Sequence, residues 1–422
     1  MPLTLVRNAS IWTPRDAAAG RPAAGPGQAQ VCCWDAGAML CRDGRIAAVG
    51  PEQDILKTLH AGEVDSELDC GGRCVVPGFV DPHTHMCFRS ARESEFSARL
   101  SGADYREILR AGGGILASVR DVRSASEEEL FQATRARAMS ALRHGTTTLE
   151  VKSGYGLAVE HELKQLGVIS RVGRETPLHV VPTFLGAHAV PEELHGRTDR
   201  YVDAVAAEMI PAVARQGCAL FCDVFCEAGV FSVPQSRKIL EAARAAGLGV
   251  RLHADELSGS GGAELAASLG AVCADHLLAA SDAGLRAMAE AGTVAVLLPA
   301  TAYSLKKPYA AARKMIGMNL PVAIATDCNP GSSFTESVPF IFGLAVLQMG
   351  LTVAEALCAC TLNAACAVGM GKETGSLVPG KRADFLVLDG ESPAILAFHA
   401  GVPPVADVYI DGRPAWSRKD SE

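Results

Sequence analysis

The rhythm of apolar and polar positions changes twice along the chain. Over the first 75 residues short apolar runs alternate with turns. Asp43-Gly44 separates AMLCR from RIAAVG, and Gly71-Gly72 separates ELDC from RCVVP. Both dipeptides accept positive φ and predict tight hairpins. Residues 14–30, rich in Ala, Gly and Pro, read as a mobile surface insertion. After Gly371 the strand rhythm returns in RADFLVLDG and VADVYIDGRPAW, the latter with an Asp411-Gly412 turn. The two ends look alike, which predicts one small β-sandwich domain made of residues 1–75 and 371–422.

The middle, residues 76–370, has a different texture. Eight short apolar runs end in polar residues: VVPGFVDPHTH, TTTLEVKSGYG, HVVPTFLGAH, LFCDVFCE, LGVRLHADE, AVCADHL, TVAVLLP and PVAIATDCNPGS. Helix-like segments lie between them, the pattern of a parallel α/β fold. Ser126 with Glu129, Ser232 with Gln235 and Thr352 with Glu355 are capping boxes; the first two helices should stop near Gly145 and Gly247. Eight strand–helix units predict a (β/α)8 TIM barrel.

Composition narrows the function. Of 422 residues, 49% are apolar and 20% charged, enough for a sizeable core. A net charge of -8 argues against a nucleic-acid partner. No apolar run approaches the roughly 18 residues of a membrane span, so no membrane partner is expected. The first residues lack a charged leader before an apolar core, so the expected compartment is the cytoplasm. Fourteen cysteines without zinc-ribbon CxxC pairs predict reduced, buried thiols; those in CALFCDVFCE fall on a strand.

Barrels of this kind carry their sites at the C-terminal strand ends. The polar residues there are His83 and His85, His188, Glu227, His253 with Glu256, Asp275-His276, and Asp327 followed by Asn329 and Gly331. Alternate strand residues point the same way, so His83 and His85 face one point. Singly, each has a plainer reading: a satisfied core histidine, or an aspartate in a turn or cap. Together, three histidines and an aspartate at one rim suit Zn2+ or Fe2+. Such an ion lowers the pKa of a bound water to about 7. Asp327 is the candidate base for that proton, and His276 the candidate donor to a carbonyl oxygen. The predicted chemistry is metal-assisted hydrolysis of a C–N bond in a small molecule.

The runs PGFVDPHTH, AGGGI (111–115), KSGYGL (152–157), GAH (186–188), DVFCE, HADE (253–256), DHL and ATDCNPGS resemble motifs of the amidohydrolase superfamily. More narrowly they resemble the imidazolonepropionase family, from about Val75 to Asp384. The resemblance implies hydrolysis of the ring amide of 4-imidazolone-5-propanoate to N-formimidoyl-L-glutamate, a step of histidine degradation, by a homodimer. It also implies one Zn2+ or Fe ion per subunit on His83, His85, His253 and Asp327. Arg92 would take the propionate, with Tyr155, His188, Asn329, Gly331 and Ser332 completing the substrate pocket. His276 would stabilise the oxyanion, and Asp327 would move the water proton to the leaving nitrogen. Glu256 would orient the ring or position the water.

Plainer readings stand beside these. Arg92 can pair with Glu93 or Glu95, Tyr155 can pack over the rim, and Asn329-Pro330-Gly331 can be a turn. Lys152 and Glu227 end strands 2 and 4, which leaves a bridged second ion open. Cys328 is expected to point away from the pocket and to sensitise the protein to oxidation. Two other functions fit less of the pattern. A deaminase or iminohydrolase of another heterocycle shares the ligand set but has no need of Arg92. A non-catalytic scaffold of the same fold would not be expected to keep all four ligands.

Overall fold

The computed structural model describes residues 3–16, 20–60, 62–102, 107 and 112–420; Ala111 of the AGGGI run lies outside them. Five strands open the chain: β1 (Leu3–Pro14), β2 (Val31–Arg42), β3 (Arg45–Pro51), β4 (Ser66–Asp69) and β5 (Cys74–Pro77). Nine follow: β6 (Phe79–Asp81), β7 (Thr146–Lys152), β8 (His179–Ala187), β9 (Phe221–Cys226), β10 (Gly249–Val250), β11 (Leu252–Ala254), β12 (Cys273–His276), β13 (Val294–Leu297) and β14 (Val322–Ile324). β15 (Phe385–Leu388), β16 (Val405–Ile410) and β17 (Arg413–Ser417) come last.

The two ends of the chain do meet. They form one mixed sheet in the order β17-β16-β15-β5-β1-β2-β3, with β4 also on β1. The sandwich is this single sheet curled over its own apolar face: Met39 and Ile46 share a core with Val75, Phe385 and Val387. Asp43-Gly44 (φ 53° and 77°) and Asp411-Gly412 (φ 49° and 70°) turn the hairpins expected of them.

Gly71-Gly72 does not. β4 and β5 both run parallel to β1, opposite Thr4–Arg7 and Ser10–Ile11 in succession. The glycines make a kink between two segments of one line, where β1 itself breaks register between Val6 and Ala9.

Residues 20–30 of the expected surface insertion do run along the surface, but they are anchored. Gln28 is fully buried. Its side-chain amide donates to Val322 O at 3.0 Å and accepts from Val322 N at 3.1 Å. Among the described residues the outer edge of β14 has no strand partner at that level, and the Gln28 amide supplies both missing backbone bonds.

The central strands form a parallel sheet in the order β14-β13-β12-β11-β9-β8-β7-β6, one strand from each of the eight runs. The fifth run is split at Arg251, with β10 and β11 both on β9. The barrel closes beyond its first and last strands: Asp327 N donates to His83 O, and His85 N to Cys328 O. The seam is therefore made by the segments that carry the candidate ligands.

The capping boxes open helices Glu127–Arg143, Val233–Ala245 and Val353–Ala359. All fourteen cysteines are free thiols, ten of them buried. Among the described residues no helix is long and apolar enough to cross a membrane.

Candidate metal centre and substrate cavity

Strand alternation brings His83 and His85 to one point, where His253 and Asp327 join them. His85 Nε2 lies 3.2 Å from His83 Nε2 and 3.2 Å from His253 Nε2. Asp327 Oδ1 is 3.6 Å from the Nε2 of both His83 and His85. Ligand atoms around a tetrahedral Zn2+ with 2.0–2.1 Å bonds stand about 3.3 Å apart, so this spacing fits one ion.

The tautomers agree with that. His83 Nδ1 is 2.7 Å from Asp275 Oδ2, and His253 Nδ1 is 3.0 Å from Asp223 Oδ2. A carboxylate can only accept, so each ring carries its proton on Nδ1 and aims an Nε2 lone pair at the shared point. With His85 Nε2 and Asp327 Oδ1 at the same point, the donor set suits a cation. Burial, reinforced by Lys152 for His83 and by His188 for His85, pushes both imidazoles well below their usual value and keeps them neutral. Burial also opposes charge on His253, but Asp223 outweighs it and the pKa rises.

Asp223 and Asp275 belong to a layer of charge sealed in the barrel beneath the ligands. Glu150, Lys152, Asp223, Arg251 and Asp275 all have fully enclosed side chains. Arg251 also donates to Pro82 O at 2.7 Å, just before His83. The sequence reading named neither Asp223 nor Arg251. The available signal was charge inside otherwise apolar runs, since a buried charge must be paired.

Above the ligands opens a cavity of 480 Å³ whose walls include Arg92, Tyr155, His188, Glu256, His276 and Asp327. Arg92 faces this cavity and is at the same time ion-paired. Its Nε is 3.1 Å from Glu95 Oε2, and its Nη1 donates to Ser118 Oγ at 2.6 Å. Its Nη2 lies over Gly331, where a Cβ would come within 1.9 Å of it. Arg99 donates to Gly331 O on the same wall, and Lys307 stands at the rim; neither was singled out from sequence.

Tyr155 lines the cavity, and burial raises its pKa, so it stays a phenol. His188 stacks on His85 with ring centroids 4.9 Å apart and bonds Gly154 O through Nδ1. Its pKa falls to about 3, chiefly by burial, which leaves Nε2 as a neutral acceptor.

Asn329, expected to bond substrate, lines the cavity and also braces its own turn. Its amide donates to Asp327 O and Ser332 Oγ and accepts from Gly331 N and Ser332 N. Gly331 and Ser332 line the cavity beside it.

The remaining candidates, His276, Glu256 and Asp327, line the same cavity. His276 Nε2 is 3.7 Å from Glu256 Oε2. Asp327 Oδ2 accepts from Thr301 Oγ1 at 2.5 Å, and burial raises its pKa. His276 and Asp327 both have positive φ, at 75° and 53°. Left-handed residues of this kind cost about 1–3 kcal/mol each and collect at functional sites.

The two candidate bridging residues are occupied elsewhere. Lys152 is ion-paired to Glu150 and Asp223, and Glu227 accepts from Leu257 N and Ser258 Oγ. Cys328 points away from the cavity, fully buried 3.8 Å from Glu336. Burial pushes its thiol well up, which removes the reason to expect easy oxidation.

The model of the amidohydrolase family matches residues 74–415. An imidazolonepropionase of Syntrophobacter fumaroxidans is 60% identical over 97% of this chain and 96% of its own. One from Desulfotalea psychrophila is 56% identical over 97% and 98%. Among solved structures, the 5-methylcytosine deaminase of Klebsiella pneumoniae superposes with a TM-score of 0.72 at 16% identity, covering 98% of this chain and 97% of that one. At that identity the likeness speaks for the barrel and its appended domain alone. The chain belongs to the amidohydrolase family and, within it, to the imidazolonepropionases.

Proposed function

We propose that the chain hydrolyses the ring amide C–N bond of 4-imidazolone-5-propanoate to give N-formimidoyl-L-glutamate. The observation that carries this reading is a guanidinium, Arg92, in the same 480 Å³ cavity as His85, His253 and Asp327, on which His83 converges. His83, His85, His253 and Asp327 would hold one Zn2+ or Fe ion. When bound, that ion supplies Lewis acidity at the ring carbonyl and acidifies a water.

The chain's residues do the rest. Arg92 binds the propionate, held side-on by Glu95 and Ser118 so that its fork is set before substrate arrives. His188 accepts a hydrogen bond from the substrate, and Tyr155 closes the wall. His276 donates to the carbonyl oxygen as charge develops there. Asp327 takes a proton from the attacking water and returns it to the ring nitrogen as the acyl C–N bond breaks. The carbonyl carbon becomes the new carboxyl group, and the nitrogen leaves as part of the formimidoyl group. Glu256, beside His276, orients the ring nitrogens.

Two further parts of the reading have their own support. Fourteen unpaired thiols suit a reducing cytoplasm. A homodimer would cover the exposed apolar side chains Tyr303, Phe340, Leu347 and Phe398.

The test is turnover of freshly prepared imidazolone propionate, followed by loss of ultraviolet absorbance, with bound metal and released ammonia measured on the same samples. The reading expects ring opening without ammonia in the parent and none of either in His253→Ala. Ammonia release, as a deaminase would give, overturns it.

A further inference from the structure

A second cluster of ligating atoms lies beneath the metal centre. A ring nitrogen of His253 and carboxylate oxygens of Asp223 and Asp275 fall within 4.8 Å of one another, all buried. Glu150 closes the cluster from β7. Carboxylates gathered in a barrel interior need a cation, because an isolated charge there is far too costly.

That position is taken by an ammonium. Lys152 Nζ is 2.9 Å from Glu150 Oε1, 3.0 Å from Asp223 Oδ2 and 3.8 Å from Asp275 Oδ2. Arg251 approaches the same oxygens, at 3.0 Å from Asp275, 3.4 Å from Glu150 and 3.8 Å from Asp223. Burial and Arg251 work against charge on Lys152, but the three carboxylates outweigh them and raise its pKa.

Formal charge ties this layer to the metal above it. Lys152 and Arg251 carry two positive charges, and Glu150, Asp223, Asp275 and Asp327 carry four negative ones. The buried set is left at minus two, which one divalent ion cancels. Asp81, the other carboxylate at this depth, faces Thr326 across the seam and has no ion pair among the described residues. Without the ammonium the set would stand at minus three around an emptied volume.

We propose that the Lys152 ammonium stands in for a second cation in the barrel and so holds the metal count at one ion per chain. This deepens the one-ion reading under Proposed function and rests on it. Because the ammonium is tethered, Asp223 and Asp275 keep their aim at His253 and His83 before any ion is bound. The same oxygens are thereby denied to a second metal ion.

The test compares parent, Lys152→Ala and the double variant Lys152→Ala/Glu150→Gln, each reconstituted with zinc, cleared of loose ion and assayed for zinc per chain. The inference expects one ion in the parent, two in Lys152→Ala, and one in the double variant, whose formal charge is again minus two. A folded Lys152→Ala that holds one ion overturns it, and so does a double variant that holds two.

Melting temperature against added zinc covers a variant that does not fold without metal. The parent should level off at one equivalent, and Lys152→Ala should keep rising towards two. A plateau at one equivalent, or a chain that excess zinc does not fold, also overturns the inference. Parent turnover is scored separately: a one-ion parent that leaves the imidazolone intact defeats the proposed reaction and not the role of Lys152.

Discussion

Replacing Gly331 by alanine tests the carboxylate-binding role proposed for Arg92 without substituting Arg92 itself. Gly331 is not among the positive-φ residues, so its backbone accepts a side chain. The new Cβ would come within 1.9 Å of Arg92 Nη2 and 2.7 Å of its Cζ. Ordinary contact requires the guanidinium to retreat by about 1.5 Å. The atoms displaced are the far end of a flexible side chain, so stability should change by less than about 1 kcal/mol. Binding geometry is less forgiving. A shift of that size breaks bidentate alignment with a carboxylate, and a charge-assisted hydrogen bond contributes about 1.5–3 kcal/mol. That predicts a loss of about tenfold to a hundredfold in kcat/KM.

The assay compares imidazolone propionate with its propanamide analogue in parent and Gly331→Ala, with thermal melting as a control. The acid should suffer the full loss, whereas the neutral analogue, poor to begin with, should change little. An unchanged kcat/KM for the acid would refute the placement of Arg92, and equal losses for both would mean that the cavity as a whole had shifted.

Other consequences can be checked independently. Asp223→Ala removes the acceptor that fixes the His253 tautomer, and metal affinity should fall about 10- to 100-fold in chelator competition; unchanged affinity would contradict the orienting role. Alkaline stability follows from the buried thiols. Burial pushes Cys41, Cys70 and Cys366 up to about 12 and Cys87 and Cys226 up to about 11. Because these folded values lie above the ordinary value of 9.0, the stability is fully present below pH 9 and is lost as pH rises towards 11–12. The slope is about 1.4 kcal/mol per pH unit for each thiol. Melting temperatures at pH 8, 9 and 10 should therefore fall progressively, and a flat series would refute the assignment. Peroxide should inactivate parent and Cys328→Ala at the same rate, since that thiol is buried and protonated; a protected variant would show that Cys328 is reached after all.

What the sequence determined by itself is what neighbours along the chain decide. Strand runs, capping boxes at Ser126, Ser232 and Thr352, and the Asp-Gly hairpins depend on side chains a few residues apart. The H-x-H pair is equally local, because strand alternation alone aims His83 and His85 together. The residues at the strand ends were legible because a parallel barrel puts those ends on one rim, whatever its detailed register.

Tertiary structure decided everything that depends on which atoms meet across strands. Asp223 became the partner of His253 through the register of β9 against β11, and Asp275 the partner of His83 across the barrel interior. Nothing local tells a buried orienting carboxylate from a cap or a turn. Gly71-Gly72 had the composition of a hairpin and became a kink, because both flanking strands found β1. Residues 20–30 had the composition of a loose loop, yet Gln28 was needed to satisfy the edge of β14. In each case an unsatisfied backbone or side-chain group elsewhere in the fold made the choice, and sequence order does not reveal which group that is.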